Sequence, residues 1–432
     1  SGAGKDGDPY DESLYLFFDL APSMGHTHYD AMNIIISGYG SKPPYNLLDE
    51  SGISHDWNVN PRTPQYFSPR AHNVVVIDGR PTPSWEDDPP PVLRKWVSNS
   101  FIDFASGSYG KKYEGNDLSR DILFVKGEYW ILRDTIQGQG THAVEQVFNF
   151  SPVVNEIGNR RERKYDFEID PVSKAFHTNY KGPNLLLVPA VPDKVEVNLL
   201  DGWKWHEDLS DPNPAREGFL DVRSPTLSYS TRADTSVPVT FETILYPLHK
   251  QEKRRIIVEE LDKGAPAGRE TGLKILINES NLRDRRKEKR GAKADYFLTG
   301  SDSKESIIGP GIRFVGWHGI VRTNSAGVFL MCVVDGKKLE YHGLGMESER
   351  SADSCIENTR PGVYEVETTD AVSLSLPLVN KDDQPWVKMK NVFLGGWIEA
   401  DFKIVEAGRE VSVFIPSPGK YVIKVTEQKS IK

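Results

Sequence analysis

Short runs of β-branched and aromatic residues recur along the whole chain, and almost nothing repeats with a helical period. "HNVVVID", "DILFVKGEYWILRDTI", "AVEQVFNF", "NLLLVPAV", "VTFETILYPL", "GVFLMCVV", "YEVETT" and "KYVIKVT" are such runs, often bounded by Gly, Pro, Asn or Asp. Within the second, Lys126-Gly127 separates two apolar halves as a hairpin turn would. "KRRIIVEELDKG" is the best helical pattern, and it is short. Strands without covering helices bury their apolar faces by stacking sheet on sheet. The expectation is therefore an all-β chain: a large antiparallel β-sandwich of two or more stacked sheets. Hydrophobic density falls around "SERSADSCIENTRPG" and strands resume after it. That places a boundary near Thr359, with a sandwich over 1–358 and a small C-terminal β-sheet domain over 359–432.

The totals narrow the function. A net charge of -9 over 432 residues argues against nucleic acid as the main partner, because phosphate binding wants a basic surface. No apolar run is long enough to span a bilayer. The two cysteines, Cys332 and Cys355, form either one bridge or two buried thiols. "SGAGKDGD" lacks the strand, spacing and Ser/Thr of a phosphate loop. The charged run from Leu282 to Asp295 reads as a solvated loop. Trp130, Trp317 and Trp397 lie in or beside apolar runs and are expected in the core. Trp57 and Trp85, in polar loops, are the better candidates for stacking on sugar rings. His142 is expected at a strand start, bonding locally.

Near the N-terminus the residues become more specific. "GHTHYD" sets His26, His28 and Asp30 at alternate positions, so on extended backbone they share a face. "NLLDESG" adds Asp49, and "PQYFSPRAHNVVVIDG" adds Tyr66, Arg70, His72 and Asn73 before an apolar strand. His28, Asp49 and His72 together make the imidazole–carboxylate set that Zn²⁺ or a similar divalent ion takes. Taken singly, each histidine reads as a hydrogen-bonded surface or core residue before it reads as a ligand. His55 could substitute as a ligand, and Arg70 either caps a turn or pairs with an anionic ligand.

In order along the chain, "GHTHYDAMNIIISGYGSKPPYNLLDESG", "SPRAHNVVVIDG" and "LSRDILFVKGEYWILRDTIQGQGTHAVEQVFNFSP" resemble the β-sandwich half of heparinase II/III-like polysaccharide lyases. The resemblance implies that His26 faces the substrate as a catalytic residue. It places His28, Asp49 and His72 around a structural zinc, with manganese or calcium as alternatives. Tyr66 is its choice for the sandwich-side catalytic tyrosine, and Arg70 would meet the substrate carboxylate. The implied activity is β-elimination on an acidic, uronate-containing polysaccharide such as alginate or a glycosaminoglycan. The implied partner is an N-terminal helical toroid, on the same parent chain or a separate one, and the implied location is periplasmic or secreted. Two rivals stand beside it: a non-catalytic carbohydrate-binding sandwich and a metal-dependent glycan hydrolase.

Overall fold

A computed structural model describes residues 13–21, 29–40, 46–50, 68–80, 91–151, 167–180, 182–207, 219–249, 252–261, 271–278, 294–300, 303–378, 385–405 and 410–427. Among them the regular elements are strands, apart from single-turn 3-10 helices at Pro69–Ala71 and Pro192–Lys194. No helix there is long and apolar enough to cross a membrane. The all-β expectation holds. The chain divides into two compact units, Ser1–Trp96 with Asp103–Lys253, and Val97–Ile102 with Arg254–Lys432.

In the first unit an eight-stranded and a four-stranded antiparallel sheet share one core. The larger contributes Trp130, Leu132, Phe241 and Leu245, and the smaller contributes Val144, Phe148, Leu227 and Tyr229. Fully burying each such side chain is worth about 1.5–3 kcal/mol, which neither sheet gains alone. The Lys126-Gly127 turn joins Asn116–Val125 to Tyr129–Gln137, with Gly127 at φ 77°, a left-handed conformation that favours glycine. β1 (Leu14–Phe18) pairs with β2 (Ile34–Gly38), and Ile34 and Ile36 of β2 enter the same core. β3 (Val75–Ile77) is the edge strand of the four-stranded sheet and pairs with Thr141–Asn149.

The second unit is built on one 14-stranded sheet that branches at Leu344–Arg360. One end of that strand pairs with Val363–Thr368 and the other with Val372–Pro377. The boundary expected near Thr359 therefore falls inside a hairpin, in the middle of this unit, because Arg360 pairs with Val363 across the turn. Most polar residues of "SERSADSCIENTRPG" occupy exposed or half-exposed positions of a long strand rather than a linker. "KRRIIVEELDKG" is not helical: Arg255–Glu260 is a strand in full register with Thr271–Asn278. Three consecutive β-branched residues, Ile256, Ile257 and Val258, favour that outcome. Most of the charged run ending at Asp295 lies outside the described residues, and Asp295 itself is buried against Arg322.

Cys332 and Cys355 face each other across neighbouring strands and form a disulfide. Trp130 is buried as expected and Trp317 half-buried, but Trp397 is 41% exposed.

His142 opens its strand and bonds locally. Its Nδ1 lies 2.7 Å from Asp78 Oδ2, and its Nε2 lies 2.9 Å from the Gln139 carbonyl. The Asp78 hydrogen bond raises the imidazole pKa from its ordinary 6.5, and the same contact lowers that of Asp78 from 3.8. The histidine's contribution is complete below its unfolded value and fades as pH rises through the raised folded one. The aspartate's is complete above its unfolded value and fades as pH falls through the lowered one. The melting-temperature gap between the wild type and His142→Ala should therefore be widest near pH 5.5 and shrink by pH 9. A gap that grows with pH would contradict the pairing.

Candidate functional site

Around the Ala-His-Asn motif the backbone is held by one asparagine. Asn73, fully buried, donates from Nδ2 to the carbonyls of Ile34 (2.7 Å) and Asp49 (2.6 Å). Its Oδ1 accepts from Asn149 N at 2.6 Å, and its own N–H donates to Asn33 Oδ1 at 2.8 Å. Asn149 in turn donates from Nδ2 to the His72 carbonyl at 3.0 Å. Four segments distant in sequence are thereby fixed by one satisfied polar network, which buried polar groups require.

Beneath it lies a buried ion pair. Arg120 meets Asp134 through two nitrogens at 2.7 and 2.8 Å, and its remaining nitrogen donates to the carbonyls of Met32 and Asn73, each at 2.6 Å. Those two carbonyls belong to the segments carrying Asp30 and His72, so the guanidinium clamps them together.

Asp30, Glu50 and His72 converge: one donor atom from each lies within 4.8 Å of the others. His72 is completely buried, and its Nδ1 is 3.2 Å from Glu50 Oε2, which also accepts from Asn33 Nδ2 at 3.1 Å. Burial raises the Asp30 pKa, His72 opposes the rise, and Glu50 adds to it. Two carboxylates and an imidazole held this close are a donor set suited to Zn²⁺ or a similar divalent ion.

His72 of the expected set thus joins this cluster, and the described contacts of Asp49 are different ones. The Asp49 carboxylate accepts from Ser151 Oγ (3.1 Å) and from the Glu50 N–H (3.0 Å). Asp49 forms a β-bridge with Asn149, and adjacent residues on extended backbone point to opposite sides. Among the described residues it is Glu50, beside Asp30, that stands within reach of His72. Asp30 had a visible signal in the alternation with His26 and His28; Glu50 differed from Asp49 only in parity. His26, His28, His55, Trp57, Tyr66 and Trp85 lie outside the described residues.

Arg70 lines a groove of roughly 640 Å³ on the four-stranded sheet, together with Glu145, Lys194, Asn198, Ser230 and Arg232. Its guanidinium is held by Glu145 through two hydrogen bonds, which raise its pKa further. Arg232 is exposed in the same groove, and among the described residues no carboxylate pairs with it. Sequence reasoning passed over Arg232 because nothing near it in the chain marks it. Only the pairing of Arg232 with Ala143 across the sheet brings it to the groove.

A sandwich that gathers an imidazole and two carboxylates near a polar groove defines an all-β protein with a candidate divalent-cation centre. The chain belongs to the heparinase II/III-like, C-terminal family, whose pattern matches residues 9–240, more than half of its 432 residues. Among solved structures it is similar to the heparan sulfate lyase HepC from Pedobacter heparinus. The identity is 17%, covering 62% of this chain and 40% of that one, with a TM-score of 0.48. A heparinase III gene product is matched at 15% identity over 62% of this chain and 37% of its own, also with a TM-score of 0.48. The chain thus spans about two fifths of the length of these proteins. No curated protein matches it.

Proposed function

We propose that this chain is the sandwich part of a polysaccharide lyase that cuts an acidic, uronate-containing polymer by β-elimination. The substrate is a glycosaminoglycan or alginate. The observation that carries the reading is the convergence of Asp30, Glu50 and His72 in a chain of the heparinase II/III-like family.

Elimination needs the proton on C5 of the uronate removed and the oxygen on C4 released. The C5 proton is weakly acidic beside an ionised carboxylate, so the site must neutralise that charge and place an acid and a base. His26 takes the part of base or charge neutraliser and Tyr66 that of proton donor. A histidine titrates in the useful range. Arg232 is better disposed to meet the uronate carboxylate than Arg70, whose planar fork Glu145 already fills.

Asp30, Glu50 and His72 would hold a divalent ion, zinc first and manganese or calcium as alternatives, with His28 completing the set. Such an ion supplies a fixed positive centre that ties the segments together. Its ligands then orient the neighbouring His26. A helical toroid, on the same parent chain or a separate one, completes the substrate cleft. A periplasmic or secreted location agrees with the Cys332–Cys355 disulfide, since such bonds persist in oxidising compartments.

The test incubates the chain, with and without the helical partner, with alginate, heparan sulfate and chondroitin, and follows the absorbance of the unsaturated uronate. His26→Ala should lower that signal by about 10²–10⁴-fold, the usual contribution of a positioned acid or base, with an unchanged melting temperature. Full turnover in this variant would remove His26 from the mechanism. New reducing ends without the unsaturated band would make the reaction a hydrolysis.

A further inference from the structure

Two strands of the second unit, Pro385–Asn391 and Gly419–Glu427, pair antiparallel and bury alternate residues. Val387, Met389, Tyr421, Ile423 and Val425 face the core. Trp386, Lys388, Lys390 and Lys424 therefore stand on the opposite, half-exposed face. The register sets Lys388 directly across from Lys424. Like charges in directly opposed positions destabilise a sheet, and among the described residues no carboxylate pairs with Lys388, Lys390 or Lys424.

Both opposed ammonium groups rest on indoles instead. Lys388 Nζ lies 3.8 Å from the Trp386 ring centroid, and Lys424 Nζ lies 4.4 Å from that of Trp397. Glu399 Oε1 accepts from the Trp386 indole N–H at 2.6 Å and fixes that ring. Trp397 precedes the short strand Ile398–Glu399, which folds back onto Lys388 and Met389. A cation on an indole face combines an apolar platform with a charge, and that suits a sugar ring bearing an anionic group.

We propose that this face is a second binding surface for an acidic polysaccharide. Carboxylate or sulfate groups would lie against Lys388, Lys390 and Lys424, and sugar rings against Trp397 and Trp386. A second copy of the chain would bring lysines against lysines. An anionic lipid surface would use the exposed tip at Phe393 and Leu394, 80% and 85% accessible. Trp386, however, lies about 20 Å back along the strand from Val392, beyond the roughly 5–10 Å depth of interfacial insertion. An extended polyanion lying along the strands uses the whole face.

The choice of ligand rests on the acidic-glycan reading above, so the test measures binding and not cleavage. Titrations of the full chain with heparan sulfate, alginate and neutral dextran should show binding to an acidic polymer and none to dextran. The double variant Lys388→Ala/Lys424→Ala should bind that polymer about tenfold more weakly, as two exposed charge contacts allow. Its melting temperature should stay close to that of the wild type, since removal of the like-charge pair offsets the loss of the two cation–indole contacts and of Lys388 opposite Glu399. Trp397→Ala should weaken binding severalfold. Equal affinity in the double variant, or no binding of any acidic polymer by the wild type, overturns the proposal. So does a loss confined to co-sedimentation with anionic vesicles. If the wild type binds but never yields unsaturated uronate, the lyase reading fails while this surface stands.

Discussion

Replacing Arg120 with alanine is expected to cost the first unit about 3–5 kcal/mol, the usual penalty for leaving one partner of a buried ion pair alone. The side chains of Arg120 and Asp134 are 1% and 0% exposed, so water cannot reach the abandoned carboxylate. Gln146 would still donate to it at 2.7 Å, but one amide does not replace a guanidinium held by two bonds. The carbonyls of Met32 and Asn73 would lose their shared donor as well. Denaturant unfolding should report the loss as a lower midpoint. Arg120→Met combined with Asp134→Leu should recover a large part of it, since an apolar pair avoids the buried charge. Recovery should stop short by about 1–3 kcal/mol, because the two carbonyls stay unsatisfied. A loss below about 1 kcal/mol in the single variant, the scale of an exposed pair, would show that the guanidinium is not the clamp its contacts describe.

This clamp was invisible in the sequence, and the reason is instructive. Arg120 and Asp134 are ordinary charged residues in two apolar runs, brought together only by the register of Asn116–Val125 with Tyr129–Gln137. The strands themselves were legible, because alternation and β-branched content are local properties of the chain. The sandwich followed, because so many half-apolar strands leave no other way to bury their faces. The boundary near Thr359 was misplaced because low hydrophobic density also describes a long strand with one solvated face, as Leu344–Arg360 is. Trp397 was expected in the core from its apolar neighbours, yet the turn ahead of Ile398–Glu399 leaves it exposed. At the candidate metal centre the sequence marks His72 and the segments that converge on it. The choice between Asp49 and Glu50 depended on which face of one extended stretch turns inward, and composition carries no trace of that.

That choice makes the sharpest test of the site. Glu50→Gln keeps the shape of the side chain but removes its charge beside His72 and Asp30. Zinc affinity, read as metal stoichiometry after dialysis against graded chelator, should fall by at least the roughly 10–100-fold that loss of a supporting ligand contact alone produces. His72→Ala should remove the ion and also lower the melting temperature, because it empties a fully buried position. Asp49→Asn should behave differently. The residue is 5% exposed and its carboxylate accepts from Ser151 and from the Glu50 amide, so the cost is about 1 kcal/mol of stability for a weakened hydrogen bond, with metal content retained. The reverse pattern, metal lost with Asp49→Asn and kept with Glu50→Gln, would restore the first assignment. Equal retention in both would leave His72 and Asp30 without a carboxylate from this turn, and the proposed cation would have to lie elsewhere.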